Sequence, residues 1–436
     1  MELYNLVSFS GIFILMGVAW LFSADRKRVN WHLIVWGLVF QLAFACFIFT
    51  APAGMQVFLF INTAVAKLLD CASAGTRFVF GRLALAPGMV NEAGETSLGV
   101  FLAFQAFPTI IFFSALMSVL YYCRIMPVLI KGFAWFFTRF MKISGAESLC
   151  ASSNIFVGIE ASLTIKPHLA DMTRSELCTV LTAGMATVAS NVLVLYVMAL
   201  GKLFPNIAGH VVSASILNAP AALIMSKLLL PERDHPKTLG RSVPLYYERE
   251  SNVFEAVING AGSGVRLIVG IVSLLIAVLG LVELGDVVLG FVGAKINGVS
   301  GLSIDWSLKG LLGYVFYPFT LIIGVPAADA KIIASIIGER AIVTEVTAYF
   351  DLAAAIEKGV LQHPRSAMVA AYALCGFAHV ASMAVFIGGI GALVPAKVRT
   401  LSQVGLRALL GATLACLMTA CVAGAFFSSS IFLFSP

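Results

Sequence analysis

Three ionisable side chains stand where this sequence otherwise tolerates almost no charge. Glu160 lies in NIFVGIEASLTIKPH (Asn154–His168), Glu345 in VTEVTAYF and His379 in CGFAHVAS, all among long apolar runs. At membrane depth an ionisable group costs about 2.5–3.5 kcal/mol, so it needs a partner or a water-filled cavity. Gly158 and Pro167 interrupt helical periodicity on either side of Glu160, and Gly376 does so before His379. A broken helix exposes backbone N–H and C=O groups, which a bilayer tolerates only where they line a cavity or bind something. Half-helix N-termini favour anionic or electron-rich groups, and C-termini favour cations. Two such breaks meeting at mid-depth would make a small-molecule site. Plainer roles stay open here. The two acids could form structural ion pairs or sit at the membrane surface. His379 could be a packing histidine, Ser382 could bond back to its own helix, and Asn154 could cap the break. Gln105 and Pro108 could mark a simple kink.

The elements around these residues are membrane elements. The chain has 436 residues, 60% hydrophobic and 11% charged, against about 25% charged in a soluble domain. Its mean hydropathy is +0.97. The net charge of +6 is not a nucleic-acid signature, because the positives cluster in short stretches between apolar runs. The eight cysteines form no CxxC pair and read as small buried hydrophobes. The N-terminus lacks a basic n-region and a small-residue cleavage site, so a retained first span is expected. No HExxH, nucleophile elbow or Gly-rich phosphate loop is present, which argues against an enzyme. The longest polar stretch is only Pro231–Asn252, which leaves a sensor no soluble output domain.

With about 20 apolar residues needed per crossing, eight spans are expected: Leu6–Phe22, Leu33–Thr50, Val100–Tyr122, Glu176–Leu200, Val211–Leu230, Val265–Val282, Met368–Leu393 and Leu406–Phe427. Met55–Ser73 and Val128–Met141 suit the interface. Ser144–His168 is apolar but interrupted at Gly158. Trp306–Phe350 is interrupted at Gly324-Val325-Pro326 and at Gly338-Glu339-Arg340. Both read as re-entrant hairpins. The fold expected is therefore all-α and polytopic, with eight transmembrane helices and two opposed hairpins. Four segments follow: 1–122 with spans one to three, 123–230 with an interfacial helix, the first hairpin and spans four and five, 231–305 with the polar loop and span six, and 306–436 with the second hairpin and spans seven and eight.

Orientation follows from DRKR (Asp25–Arg28), from Arg124, Lys131, Arg139 and Lys142, from PERDHPKTLGR (Pro231–Arg241), and from Lys397, Arg399 and Arg407. Each group follows an odd-numbered span, so all four can share the cytoplasmic face. The alternate gaps hold fewer positives (Arg77, Arg82 and Lys202, beside Glu92, Glu95, Glu283 and Asp286). The parity requires each hairpin to count as zero crossings. A weak internal echo joins RSELCTVLTAGMATVASNV from Arg174 to RSAMVAAYALCGFAHVASMAV from Arg365, aligning Thr187 with His379. Each copy follows a broken hairpin holding an acid, and the copies enter from opposite faces. That is the inverted repeat of secondary transporters; re-entrant hairpins also occur in channels, but one acid per half favours alternating access.

At these residues the chain resembles the concentrative nucleoside transporters, cation-coupled symporters of the cell membrane. SADRKRVNW resembles their first cytoplasmic loop, FPTIIFFSALMSVLYY (Phe107–Tyr122) their third span, NIFVG (Asn154–Gly158) their first hairpin tip, and CGFA with ASMAVFIGGIGALVP (Cys375–Pro395) their discontinuous seventh span. The resemblance implies a nucleoside-like solute held by Gly158, Glu160 and Val192 on the base side and by Glu345, Phe377, His379 and Ser382 on the ribose side. It implies a sodium ion on Asn154, the Val157 carbonyl, the Thr187 hydroxyl and the Val188 carbonyl, no other cofactor, and a homotrimer in lipid. Two departures bear on the solute. The tip reads Gly158-Ile159-Glu160 where the family has Gly-Gln-Thr-Glu, with Ser162 in place of a proline, and His379 stands in place of an asparagine. A modified or purine nucleoside, a nucleobase or another small polar solute therefore stays open, and a proton stays open as the coupling ion.

Overall fold

The computed structural model describes residues 3–85, 88–90, 94–99, 101–247, 249–300 and 304–428. Glu92 and Val100, which enter the sequence reading, lie outside them. The order is α1 (Leu3–Leu21), α2 (Trp31–Thr50), α3 (Pro52–Phe80), α4 (Leu102–Gln105), α5 (Phe107–Tyr122), α6 (Ile125–Met141), α7 (Gly145–Asn154), a 3-10 arm (Ile159–Asp171), α8 (Arg174–Ala186), α9 (Ser190–Leu200), α10 (Ile207–Leu229), α11 (Val253–Ser300), α12 (Leu308–Ile322), α13 (Ala327–Ile342), α14 (Glu345–Glu357), α15 (Pro364–Leu374), α16 (Val380–Leu393) and α17 (Val398–Ala425). Helices α8, α10, α15 and most of α17 are buried on nearly every side, which is why they are mostly apolar or small all round, their few buried charges such as Lys227 and Arg365 being paired or hydrogen-bonded. Around them run helices with exposed apolar faces, above all the long α11. Gly260 and Gly264 let α11 approach the backbone of α5 at Ala115 and Ile111, the small-residue contact that membrane helices use in place of hydrophobic collapse.

The basic stretches meet at one end of the bundle. Arg233 pairs with Asp25 at 3.2 Å, Lys237 pairs with Asp171 at 2.7 Å, and Lys397 donates to the Met172 carbonyl at 2.9 Å. Tyr121, at the end of α5, stacks on Tyr247 of the polar loop at 5.5 Å. The other end holds both ends of the described chain, where Asn5 donates to the Phe427 carbonyl at 2.9 Å. These contacts also settle α3. Eight helical stretches among the described residues are long and apolar enough to cross a membrane, and Pro52–Ala84 is one of them. Yet α2 leaves the basic end and α5 returns to it, so α3 begins and ends on the opposite side. The predicted seventh span, by contrast, consists of two short helices, α15 and α16.

The repeat is visible in the order of elements. Interfacial helix α6, a hairpin of α7 and the 3-10 arm, broken helix α8/α9 and α10 recur as α12, hairpin α13/α14, broken helix α15/α16 and α17. The same local chemistry recurs too. Glu147 is the third residue of α7, and its link to Ser175 at the start of α8 runs through Lys227, whose Nζ lies 2.5 Å from Glu147 Oε1 and 2.9 Å from Ser175 Oγ. Asp329 is the third residue of α13 and accepts directly from Ser366 near the start of α15 at 2.5 Å. It also accepts the Gln362 and His363 N–H groups, so each hairpin is fastened at its base.

Three expectations need correction. Gly324–Pro326 is a true interruption, with Gly324 at φ +85°, but it divides α12 from the hairpin. Gly338-Glu339-Arg340 is not an interruption, since α13 runs through it to Ile342. Gly338 is there for close packing against Leu312, and buried Arg340 donates to the Ala373 carbonyl at 2.7 Å. The second hairpin is thus 327–357 with its tip at Val343–Thr344, and the Trp306–Phe350 assignment mixed it with α12. The first hairpin breaks at 155–158 and extends to Asp171, past His168. Lastly, the echo misaligns the two breaks. Thr187 closes α8, whereas His379 opens α16, because the second break is two residues longer.

Candidate functional site

The breaks in the helix pairs α8/α9 and α15/α16 lie against each other. Asn218 of α10 donates through Nδ2 to the Ala186 and Cys375 carbonyls, both at 2.7 Å. These are the C-terminal carbonyls of two half-helices, which have no helical partner. Gly376, at φ +144°, leaves room for the Ala186 carbonyl that a side chain there would strike. An Asn218→Leu substitution keeps the volume and removes the shared donor. Only the Cys416 thiol, a weak donor, then reaches the two carbonyls, at 3.6 and 3.1 Å; a buried carbonyl left poorly satisfied costs up to about 1–3 kcal/mol, so the purified variant is expected to unfold several degrees below the wild type. An unchanged midpoint would mean that the Cys416 thiol satisfies the carbonyls by itself.

The first hairpin tip is tied to the first break in the same manner. Ser190 donates its N–H and its hydroxyl to the Phe156 carbonyl at 3.0 and 2.6 Å, and Ser215 donates to the Ile155 carbonyl at 2.9 Å. Asn154 ends α7 within this junction. Its Nδ2 donates to the Cys150 carbonyl at 3.0 Å, and its buried Oδ1 has no hydrogen-bond partner. Thr187 donates to the Ala183 carbonyl at 2.8 Å, so its hydroxyl oxygen keeps free lone pairs. Asn154, Val157, Thr187 and Val188 therefore all belong to this one junction of tip and break. The Gln41, Asn191 and Asn218 side-chain oxygens are likewise without donors; what sets Asn154 apart is the Thr187 hydroxyl and the turned backbone in the same junction, and several hard oxygens of this kind suit a small alkali cation.

A cavity of about 130 Å³ opens between the two hairpin tips, the second break and α11. That is many times the roughly 10–15 Å³ that holds one water. All seven solute residues expected from sequence line it: Gly158, Glu160, Val192, Glu345, Phe377, His379 and Ser382. Glu160 and Glu345 occupy equivalent places, each in the first turn of its hairpin's second arm, where the helix dipole favours a carboxylate. Glu345 is 3% exposed. Its Oε1 accepts from the Tyr196 hydroxyl at 3.1 Å, and Tyr196 is held by stacking on Tyr349 at 4.3 Å. Glu345 Oε2 lies 3.1 Å from His379 Nε2 but has no aligned donor.

His379 is the N-cap of α16, where its Nδ1 accepts the Ser382 N–H at 3.2 Å. The cap selects the tautomer: Nδ1 accepts, so Nε2 carries the hydrogen, which is not aligned on the nearby Glu345 Oε2. The Ser382 hydroxyl bonds back to its own segment, at the His379 carbonyl (2.7 Å) and the Phe377 carbonyl. Several site-forming residues escaped the sequence reading. Asn191, Thr344 and the α11 wall at Leu267, Ile271 and Leu275 line the cavity, and Asn218 and Tyr196 support it. An asparagine in an apolar span was a legible signal for Asn218, by the logic that singled out the acids. The aliphatic wall carried none. Gln105 proves to organise a loop, donating to the Leu83, Leu85 and Gly99 carbonyls.

Comparison with known proteins agrees with this architecture. Family models described as Na+ dependent nucleoside transporter N-terminus, nucleoside recognition, and Na+ dependent nucleoside transporter C-terminus match residues 10–83, 103–203 and 210–424. Solute carrier family 28 member 3 of Mus musculus is 34% identical over 434 residues, covering 96% of this chain and 58% of that protein. The chain thus spans under two thirds of the length of that mammalian relative. The uncharacterized transporter YutK of Bacillus subtilis is 34% identical over 419 residues, covering 95% of this chain and 98% of that one. The structure of CNTnw in an inward-facing substrate-bound state superposes with a TM-score of 0.85 at 31% identity, covering 98% of this chain and 100% of that one. This chain belongs to the concentrative, sodium-dependent nucleoside transporter family. It is a multi-pass membrane protein of a transporter family, not an enzyme.

Proposed function

We propose that this protein imports nucleosides across the cell membrane by symport with Na+. The observation that carries the reading is the cavity itself. Two carboxylates, Glu160 and Glu345, face it from opposite hairpin tips, and no lysine or arginine lines it among the described residues. Such a wall repels phosphorylated solutes and suits a neutral one rich in N–H and O–H donors. In this reading Gly158, Glu160 and Val192 meet the base. Glu345 accepts from sugar hydroxyls, His379 Nε2–H donates to them, Phe377 packs on the solute and Ser382 fixes the segment that holds His379. A sodium ion on Asn154, Thr187 and the Val157 and Val188 carbonyls orders the first tip and so completes the solute site. The hairpin-bearing bundle then moves against α5 and α11, with three copies assembling in the lipid.

Sodium is favoured over a proton by one feature: Asn154 Oδ1, in the junction of the first tip and the first break, is a buried acceptor with no hydrogen-bond donor, which a metal cation can satisfy. The reading is tested by equilibrium binding to the detergent-solubilised protein. Sodium should tighten nucleoside binding relative to potassium, and the nucleoside should tighten sodium binding by the same factor, as linkage requires. Equal nucleoside affinity in both salts would sink the coupling.

A further inference from the structure

The two ends of the cavity differ in their hydrogen-bonding character. At the Glu345 end, a carboxylate and an imidazole N–H line the cavity together, with the buried Tyr196 hydroxyl behind them donating to Glu345, a set that suits hydroxyls, which both give and accept. At the Glu160 end, the side chains offer acceptors and no donors. Glu160 is exposed to the cavity; its carboxylate turns back toward the backbone N–H groups of Gly158 and of Glu160 itself, and no other side chain bonds to it or pairs with it among the described residues, so part of its accepting capacity stays open to the cavity. Its neighbour Ile159 has no polar side-chain atom and packs toward Gly389 of α16. Asn191 gives its Nδ2 hydrogen to Ser114 Oγ at 3.3 Å and is left with a buried Oδ1 that has no partner. Val192, Leu267 and Ile271 line the cavity with apolar surface, which suits the faces of a planar ring.

We propose that Glu160 selects nucleosides whose base presents two adjacent, parallel N–H donors, which is the guanine edge. This rests on the nucleoside reading above and names the class of base. A carboxylate is acceptor-only, with two coplanar oxygens, and its strongest partner is a planar fork of two N–H groups. Guanine offers N1–H beside its 2-amino group. Hypoxanthine offers N1–H alone. Adenine sets an acceptor beside its amino group, and uracil flanks its single N–H with two carbonyls, so each leaves a lone pair against the second oxygen. A hydrogen bond to a charged group is worth about tenfold or more in affinity.

The test is uptake into proteoliposomes under an inward sodium gradient, comparing labelled guanosine, inosine, adenosine and uridine by kcat/KM. Guanosine is expected to exceed each of the others by at least about fivefold, and Glu160→Gln, which turns one acceptor into a donor, to bring guanosine and inosine within that factor. N1-methylguanosine makes the same test on the wild-type protein, whether or not the variant inserts, and is expected to lose the guanosine advantage. A wild-type guanosine preference below fivefold, or a preference that survives Glu160→Gln or N1-methylation, overturns the proposal while leaving nucleoside transport standing. Uptake of none of the four removes the nucleoside reading itself.

Discussion

Glu345→Gln is expected to lower sodium-driven nucleoside uptake at least about 100-fold while membrane insertion and thermal stability stay near wild type. Glutamine keeps the length of the side chain and one acceptor, so Tyr196 can still donate at the Oε1 position. What goes is the charge, and with it the second acceptor that now faces His379 Nε2 without an aligned donor. A hydrogen bond to a charged group contributes about 1.5–3 kcal/mol, and two lost to one sugar exceed the about 2.7 kcal/mol that makes 100-fold. The exchange also removes buried charge, which is why stability is not expected to fall. Uptake within about threefold of wild type, at equal protein in the membrane, would take Glu345 out of the solute site.

Lys227→Met is expected to do the reverse: a large loss of stability from a site remote from the cavity. Lys227 is 8% exposed and Glu147 1%, and Glu176 is also buried. Lys227 meets Glu147 at 2.5 Å and Glu232 at 3.4 Å. Methionine fills much of the same space but leaves the acids facing one another without a cation. Breaking a buried pair by removing one partner costs about 3–5 kcal/mol. The purified variant should therefore melt well below the wild type, and Glu147→Gln in the same chain should recover part of the loss by removing one stranded charge. A variant melting within a degree of wild type, or an additive double variant, would show that the cluster is not coupled in this way. The second repeat makes the same fastening with Asp329 and Ser366, without a lysine, so the two hairpins are expected to differ in how firmly their bases are held.

What the sequence disclosed was whatever breaks a rule of the bilayer. Glu160, Glu345 and His379 are visible because charge at depth needs a reason, and all three line the cavity. The basic stretches predicted a shared face because each follows an odd-numbered span, and the Asp25–Arg233 and Asp171–Lys237 pairs lie on it. Glycine was the ambiguous letter. Gly324 turns the chain at positive φ, whereas Gly338 only admits Leu312, and composition cannot tell a bend from a tight contact. The second hairpin expected at Trp306–Phe350 therefore takes in all of α12 and stops inside α14. The echo between Thr187 and His379 matched small residues but missed the longer second break, which is where His379 gains its capping role. Leu267, Ile271 and Leu275 could not be foreseen as cavity lining, since nothing distinguishes an aliphatic side chain facing a solute from one facing lipid.

The claim beneath all of this is that a sodium ion at the first tip and a neutral solute between the tips are moved together. Accumulation of a labelled nucleoside in proteoliposomes tests it most directly, with sodium and proton gradients imposed one at a time. Concentration inside above that outside is expected under the inward sodium gradient alone, abolished when the gradient is dissipated. Accumulation without sodium, or under the proton gradient by itself, would contradict it.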